Sequence, residues 1–179
     1  MPTLIETIES EYRRYKDLAD KAMVQLSDAD VLVSPADDSN SVAVIVKHVG
    51  GNLASRFTDF LTTDGEKPWR KRDEEFEEAG ETRASVMAVW ARGWDALFAT
   101  LASLTEADLN LRVVIRHEAM TAHDALIRSL GHTASHVGQI IYVAKLIRGT
   151  SWQTLTIARG RSEEFNEAMA RAHRGDTIR

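Results

Sequence analysis

Apolar residues recur at steps of three and four along most of the chain, which is the spacing of one face of an α-helix. The pattern predicts four long helices, over residues 3–26, 41–61, 81–104 and 121–149. A short helix is expected after Ser162, and residues 111–116 form a β-prone segment before the fourth long helix. The three prolines all precede residue 69, whereas a fold of short strands would need denser turn signals. The sequence therefore predicts an all-α fold, a four-helix bundle in a single domain that spans residues 1–179.

Two short motifs occur twice in the same order. Residues 26–31, LSDADV, return as LTEADL at 104–109, and His48-Val49-Gly50 returns as residues 136–138. In both halves a long helix ends in the first motif and the next helix carries the second. This order predicts two helical hairpins related by pseudo-symmetry.

Three histidines occupy matching positions beside the apolar stripes of two helices. His132 and His136 are four residues apart, so a helix can direct both imidazoles at one point. His48 lies at the corresponding offset on the second helix, followed on the same flank by Asn52 and Arg56. If the two helices are neighbours, the three imidazoles can hold a metal ion and leave a position open for water. An isolated His pair on a helix is more often a surface or hydrogen-bonded pair, so this interpretation competes with a structural one.

Composition limits the other kinds of chemistry. The chain has no cysteine, so it can form no disulfide, thiolate metal site or cysteine nucleophile. Its net charge of −5 argues against a nucleic-acid or anionic-membrane binder. The first residues lack the pattern of a signal peptide, and no apolar stretch reaches the ~18 residues of a membrane span. A cytoplasmic protein without a nucleic-acid or membrane partner is expected.

Other site motifs find little support. The chain contains no Glu-x-x-His of a di-iron bundle and no glycine-rich nucleotide-binding loop. His117, His123 and His173 are expected at the surface. Residues 67–78 are charge-dense, yet Trp69 and Phe76 within them indicate that this loop folds back over another part of the protein.

The His48, His132 and His136 pattern resembles the metal triad of the DinB-like superfamily of four-helix bundles. The resemblance is closest to a branch known mainly as a domain of unknown function, and it rests on segments 47–48, 55–70, 72–76, 136–142 and 152–157. After Ile157 the branch commonly has Pro-Arg-Gly-Gln-Ser, whereas this chain has Ala-Arg-Gly-Arg-Ser. The departure concerns this loop and leaves the three histidines unaffected.

The resemblance implies an up-and-down bundle that holds one divalent cation, usually Zn or Ni, through three histidines and water. It also implies a homodimer. Characterised relatives are metal-dependent enzymes that act with low-molecular-weight thiols, as S-transferases or isomerases, whereas the branch itself has no assigned reaction.

Two functional hypotheses follow. In the first, the chain is a metalloenzyme with an S-transferase-like or hydrolase-like activity on a small molecule; without cysteine, any thiol comes from outside. Candidate substrate-binding residues are Asn52, Arg56, Tyr142 and Arg159, and no general base stands out. Arg56 is alternatively an ion-pair partner of Asp59. In the second hypothesis, the chain is a non-catalytic dimerisation or binding module with a structural metal or none.

Overall fold

The computed structural model describes residues 1–77 and 80–173 as a mostly helical fold with a two-stranded sheet. The helices are α1 (Leu4–Met23), α2 (Val42–Phe57), α3 (Arg83–Ser103), α4 (Ala122–Arg148) and α5 (Ser162–Ala172). The strands are β1 (Arg112–Ile115) and β2 (Glu118–Thr121). The end of the charge-dense segment at Glu78, and the end of the expected domain beyond His173, lie outside the described residues. In the described part of the chain, no helix combines the length and apolarity needed to cross a bilayer.

The long helices begin at side chains that accept hydrogen bonds from the first backbone N–H groups of the helix, which have no partner within the helix. Thr3 and Glu6 form the reciprocal capping box expected from their spacing. Ser41 caps α2 through the N–H of Val44, and Thr121 caps α4 through the N–H of Asp124. The helices that carry the histidines therefore start at fixed points, which sets the position of each His along its helix.

The long helices share one hydrophobic core, but α1 and α2 are not each other's closest partners, nor are α3 and α4. The most extensive contacts join α2 to α3 and α1 to α4, and α2 also packs against α4. At the α2–α3 contact, a Cβ atom built on Gly93 would lie 2.4 Å from the carbonyl oxygen of Gly50, so the two glycines allow the backbones to approach. The predicted pairing of α1 with α2 and of α3 with α4 in two packed hairpins is thus wrong, because α2 packs mainly on α3, the next helix in the chain, and α1 packs on α4, the last of the long helices.

The repeated LSDADV and LTEADL motifs nevertheless have similar local structures. Each contributes to a 3₁₀ turn, Asp30–Leu32 or Glu106–Asn110. The carboxylate of Asp30 accepts a hydrogen bond from the N–H of Ser27, and that of Asp108 accepts one from the N–H of Thr105. The repeat thus marks two equivalent helix-ending turns.

The second helix is shorter than expected and ends at Phe57. The hydroxyl of Thr100 on α3 donates a hydrogen bond to the carbonyl of Phe57, and Asp59 has a positive φ of 50°, which turns the chain away from the helix. Phe60 is still buried, because the turn returns it to the core. Phe60 was assigned to the helix because it is apolar and fits the helical spacing, but it is the turn at Asp59 that places it in the core.

The β-prone segment is the first strand of a hairpin. Arg112 pairs with Thr121 and Ile115 with Glu118, which leaves Arg116 and His117 as a two-residue turn with positive φ at both positions. The carboxylate of Asp64 accepts hydrogen bonds from the N–H groups of both turn residues, at 2.8 and 2.9 Å. The loop after α2 is thereby attached to the hairpin.

Candidate metal centre

Three imidazole nitrogens converge where α2 packs against α4. Nε2 of His132 lies 3.2 Å from Nε2 of His48 and 3.2 Å from Nε2 of His136. The candidate ligand atoms of the three residues all lie within 4.8 Å of one another. The contact between α2 and α4 therefore brings together the three histidines that the helical offsets selected, and we call them the His triad.

The spacing of the His triad fits a tetrahedral cation. Two nitrogen ligands at ~2.0–2.1 Å from such an ion are about 3.3–3.4 Å apart, close to the two distances of 3.2 Å. A hydrogen-bonded cluster explains the arrangement less well, because one N–H on Nε2 of His132 would have to serve two acceptors at equal distance. Imidazole is also a suitable donor for zinc, nickel and other first-row divalent ions.

Hydrogen bonds at Nδ1 set the tautomer of two of the histidines. Nδ1 of His48 donates to Oε2 of Glu75 at 3.0 Å, and Nδ1 of His136 donates to Oε1 of Gln139 at 2.8 Å. With the proton on Nδ1, each Nε2 carries the lone pair that a metal requires. The rings are therefore oriented and protonated as ligands.

Glu75 is held from a second direction by Arg70. Nε and Nη2 of Arg70 donate to the two carboxylate oxygens, each at 2.8 Å. Burial raises the pKa of Glu75, but the hydrogen bonds from His48 and Arg70 outweigh it and hold the pKa below its ordinary value. The carboxylate thus stays charged and remains an acceptor for His48.

His132 lies between the other two ligands, and its ring is kept neutral. Burial, aided by the neighbouring His136 and His48, lowers the pKa of His132 to about 4. Burial also lowers the pKa of His136. Nδ1 of His132 is buried and makes no hydrogen bond to any residue in the described ranges. Neutral imidazoles with free Nε2 lone pairs are the form in which histidine binds metals.

The His triad adjoins a cavity of about 200 Å³. His48 and His132 contribute to its wall, and further apolar wall residues are Phe57, Phe60 and Ile115. A small molecule in the cavity would therefore lie beside His48 and His132.

The structure separates the four candidate substrate-binding residues into two groups. Asn52 and Arg56 line the cavity beside His48 and His132. Tyr142 is 65% exposed and lines a different groove near Ile45 and Pro35, and Arg159 is exposed on the loop before α5.

The expected ion pair of Arg56 with Asp59 is wrong. Arg56 pairs with Glu66, with Nη1 and Oε2 3.3 Å apart. The backbone turn at Asp59 ends the helical register on which the expected pairing depended.

Sequence reasoning missed the residues that support the site from outside, Glu75 and Arg70. The signals in the sequence were the aromatic Trp69 and Phe76 in the charged loop, which indicated that the loop folds back. The prediction is confirmed for Phe76, because its ring lies 4.9 Å from that of His48 and the 3₁₀ turn Asp73–Phe76 packs on α2, whereas Trp69 is 55% exposed. The expected surface positions of His117 and His173 are confirmed, whereas His123 is partly covered.

Searches of curated proteins and of solved structures gave no match to this chain. A family model does match, and it covers residues 2–161, which includes the His triad, Glu75 and every residue that lines the cavity. On this match over most of its length, the chain belongs to the family described as protein of unknown function (DUF1572).

Proposed function

We propose that this protein is a divalent-metal-dependent enzyme that acts on a small molecule at the His triad. The observation that carries the proposal is the convergence of three Nε2 atoms, 3.2 Å apart in two pairs, at the edge of a cavity. A purely structural metal site has no need of an adjacent cavity, whereas a catalytic site keeps one coordination position open.

In this proposal the chain's own residues orient the ligands and bind the substrate. Glu75 and Gln139 fix the rings of His48 and His136, and Asn52 and Arg56 face the molecule in the cavity. The chemistry that a bound Zn²⁺ or Ni²⁺ would supply is Lewis-acid activation of a water or a thiol, which lowers its pKa towards neutrality. The chain has no cysteine, so a transferase reaction would use an external low-molecular-weight thiol and a hydrolase-like reaction would use water.

We further propose that the long helices form the up-and-down bundle of the DinB-like superfamily, as a cytoplasmic homodimer. The packing of α2 against both α3 and α4, and of α1 against α4, supports the bundle arrangement. The dimer rests on the resemblance of the sequence, and light scattering of the purified protein tests it.

Metal analysis of protein purified without a nickel column tests the function. We expect one equivalent of a divalent metal per chain in the wild type, loss of that metal in His136→Ala, and retention in His123→Ala. His123 is the matched control because it lies on the same helix, outside the His triad. Substoichiometric metal in the wild type would contradict the proposal.

The same preparations separate a catalytic metal from a structural one. If His136→Ala keeps the circular dichroism spectrum and melting temperature of the wild type, the metal is not needed for folding, and a screen with small thiols and electrophiles follows. If removal of the metal unfolds the wild type, the non-catalytic alternative gains support, because structural sites contribute directly to folding.

A further inference from the structure

The cavity beside the His triad is strongly cationic although the protein as a whole carries a net charge of −5. Four arginines line it, Arg56, Arg72, Arg116 and Arg128, and no aspartate or glutamate is among its lining residues in the described part of the chain. Positive charge is thus concentrated at one place on an acidic protein.

These arginines come from separate elements that the fold brings together. Arg56 lies on α2, eight residues after His48, and Arg128 lies on α4, one turn before His132. Arg116 is in the turn between β1 and β2, which the carboxylate of Asp64 attaches to the loop after α2. Like charges at short range repel one another, so the cluster costs free energy unless carboxylates or a bound anion compensate it.

The carboxylates nearby leave part of this charge uncompensated. Glu66 serves both Arg56 and Arg116, with Oε2 3.3 Å from Nη1 of the first and 2.8 Å from Nε of the second. Arg128 pairs with Glu118 at 2.8 Å and Arg72 with Asp73 at 3.7 Å, both at exposed positions. Nη1 of Arg70 is buried and makes no hydrogen bond to any described residue. Two guanidinium groups thus share one carboxylate at the cavity wall, and a third nearby has an unused donor.

We propose that the substrate bound in this cavity is a small organic anion, with a carboxylate or phosphate group held by Arg56 and the neighbouring guanidinium groups while its other end reaches the His triad. Planar guanidinium groups match the geometry of both oxyanions. The volume of about 200 Å³ is below the ~300–1,000 Å³ of typical drug-sized pockets and so restricts the ligand to a small molecule. The inference gives the substrate class of the proposed enzyme and to that extent rests on the proposed function.

Calorimetric titration with succinate and with inorganic phosphate tests this inference, and the two probes separate carboxylate from phosphate recognition. Succinamide, which is similar in size but uncharged, is the ligand control. We expect at least one anion to bind the wild type. Its affinity should fall about tenfold in Arg56→Gln, because this change removes a charge-assisted hydrogen bond to the anion. Arg128→Gln is the second variant, since its exposed side chain can be changed with less risk to folding. Arg14→Gln, an exposed arginine paired with Glu11 on α1, should bind like the wild type.

The titration is repeated with His136→Ala to separate the two proposals. Anion binding that persists without metal and is weakened in Arg56→Gln and Arg128→Gln but not in Arg14→Gln supports the inference even if the metal proposal fails. Anion binding that is as tight in Arg56→Gln and Arg128→Gln as in the wild type overturns the inference, whether or not it requires the metal, and leaves the metal proposal in place. Failure of both anions to bind the wild type, or succinamide binding as tightly as succinate, also overturns it.

Discussion

Gly51 on α2 lies directly against the carboxylate of Glu75, so that a Cβ atom built at position 51 would be 2.3 Å from Oε1 of Glu75. The contact is one turn along the helix from His48, whose Nδ1 donates to the other carboxylate oxygen. A side chain at position 51 would occupy the space that Glu75 needs to reach His48. The glycine therefore allows a loop residue to orient His48 on the helix.

Gly51→Ala should weaken metal binding without unfolding the protein. The added methyl group displaces Glu75, which releases the ring of His48, and loss of such a supporting hydrogen bond typically costs about 10–100-fold in metal affinity. Competition with a chromophoric chelator measures the affinity. Alanine is a better helix former than glycine, so the substitution should not destabilise α2.

A double variant shows whether Gly51→Ala lowers the metal affinity by displacing Glu75. With Glu75→Ala already present, the methyl group at position 51 has no carboxylate to displace, so adding Gly51→Ala should cost little further affinity. Additive losses from the two changes would show that position 51 acts by another route.

Replacing Glu75 itself should give a graded result. Glu75→Ala removes the acceptor for His48 and leaves Arg70 without its carboxylate, so we expect both weaker metal binding and lower stability. Glu75→Gln retains an uncharged acceptor and should recover part of the metal affinity. Glu74→Ala is the matched control, because the neighbouring Glu74 is exposed and pairs only with the exposed Lys71 among the described residues. Equal metal affinity in all four proteins would exclude a role for Glu75 at the site.

The convergence of the His triad could be predicted from the sequence, but not the groups that orient its rings. His132 and His136 are related by helical geometry alone, and His48 has the same offset on another amphipathic helix, so local periodicity is sufficient. Glu75 is 27 residues from His48 and lies in a charged loop that has no periodicity. Its position depends on the folding of that loop against α2, which local sequence patterns do not determine.

The same distinction explains the errors in the fold. The helix starts follow from capping residues such as Thr3 and Ser41, which act within one turn. The end of α2 depends on a hydroxyl from Thr100, which is 43 residues away in the chain. The preference of α2 for α3 depends on the close approach of Gly50 and Gly93, a tertiary contact between two glycines that each appear neutral or unfavourable in a helix.

Gly93→Ala should destabilise the protein. Its Cβ atom would meet the backbone of Gly50 at 2.4 Å, and a backbone atom cannot move aside as a flexible side chain can. Overpacking of this kind costs about 1–3 kcal/mol. Gly131→Ala on α4 is the matched control, since nothing lies within 4 Å of a Cβ atom there, and it should stabilise by about 0.5–1 kcal/mol through helix propensity. Urea unfolding monitored by circular dichroism measures both; a Gly93→Ala variant as stable as the wild type would contradict the close contact.

Asp64 should make the stability of the apoprotein depend on pH in the acid range. The hydrogen bond from the N–H of Glu66, together with those from His117 and Arg116, lowers the pKa of Asp64 from 3.8 to about 2. Because the pKa is lower in the folded state, the carboxylate stabilises the fold above about pH 4, and this stabilisation is lost as the pH falls from 3.8 towards 2.

Asp64→Asn lacks the charge, so it should be less stable than the wild type near neutral pH. Urea unfolding of both apoproteins from about pH 7 to about pH 3 should show the difference in unfolding free energy shrinking at the acid end. A difference that stays constant, or grows as the pH falls, would mean that the carboxylate of Asp64 does not hold the hairpin turn in its charged form.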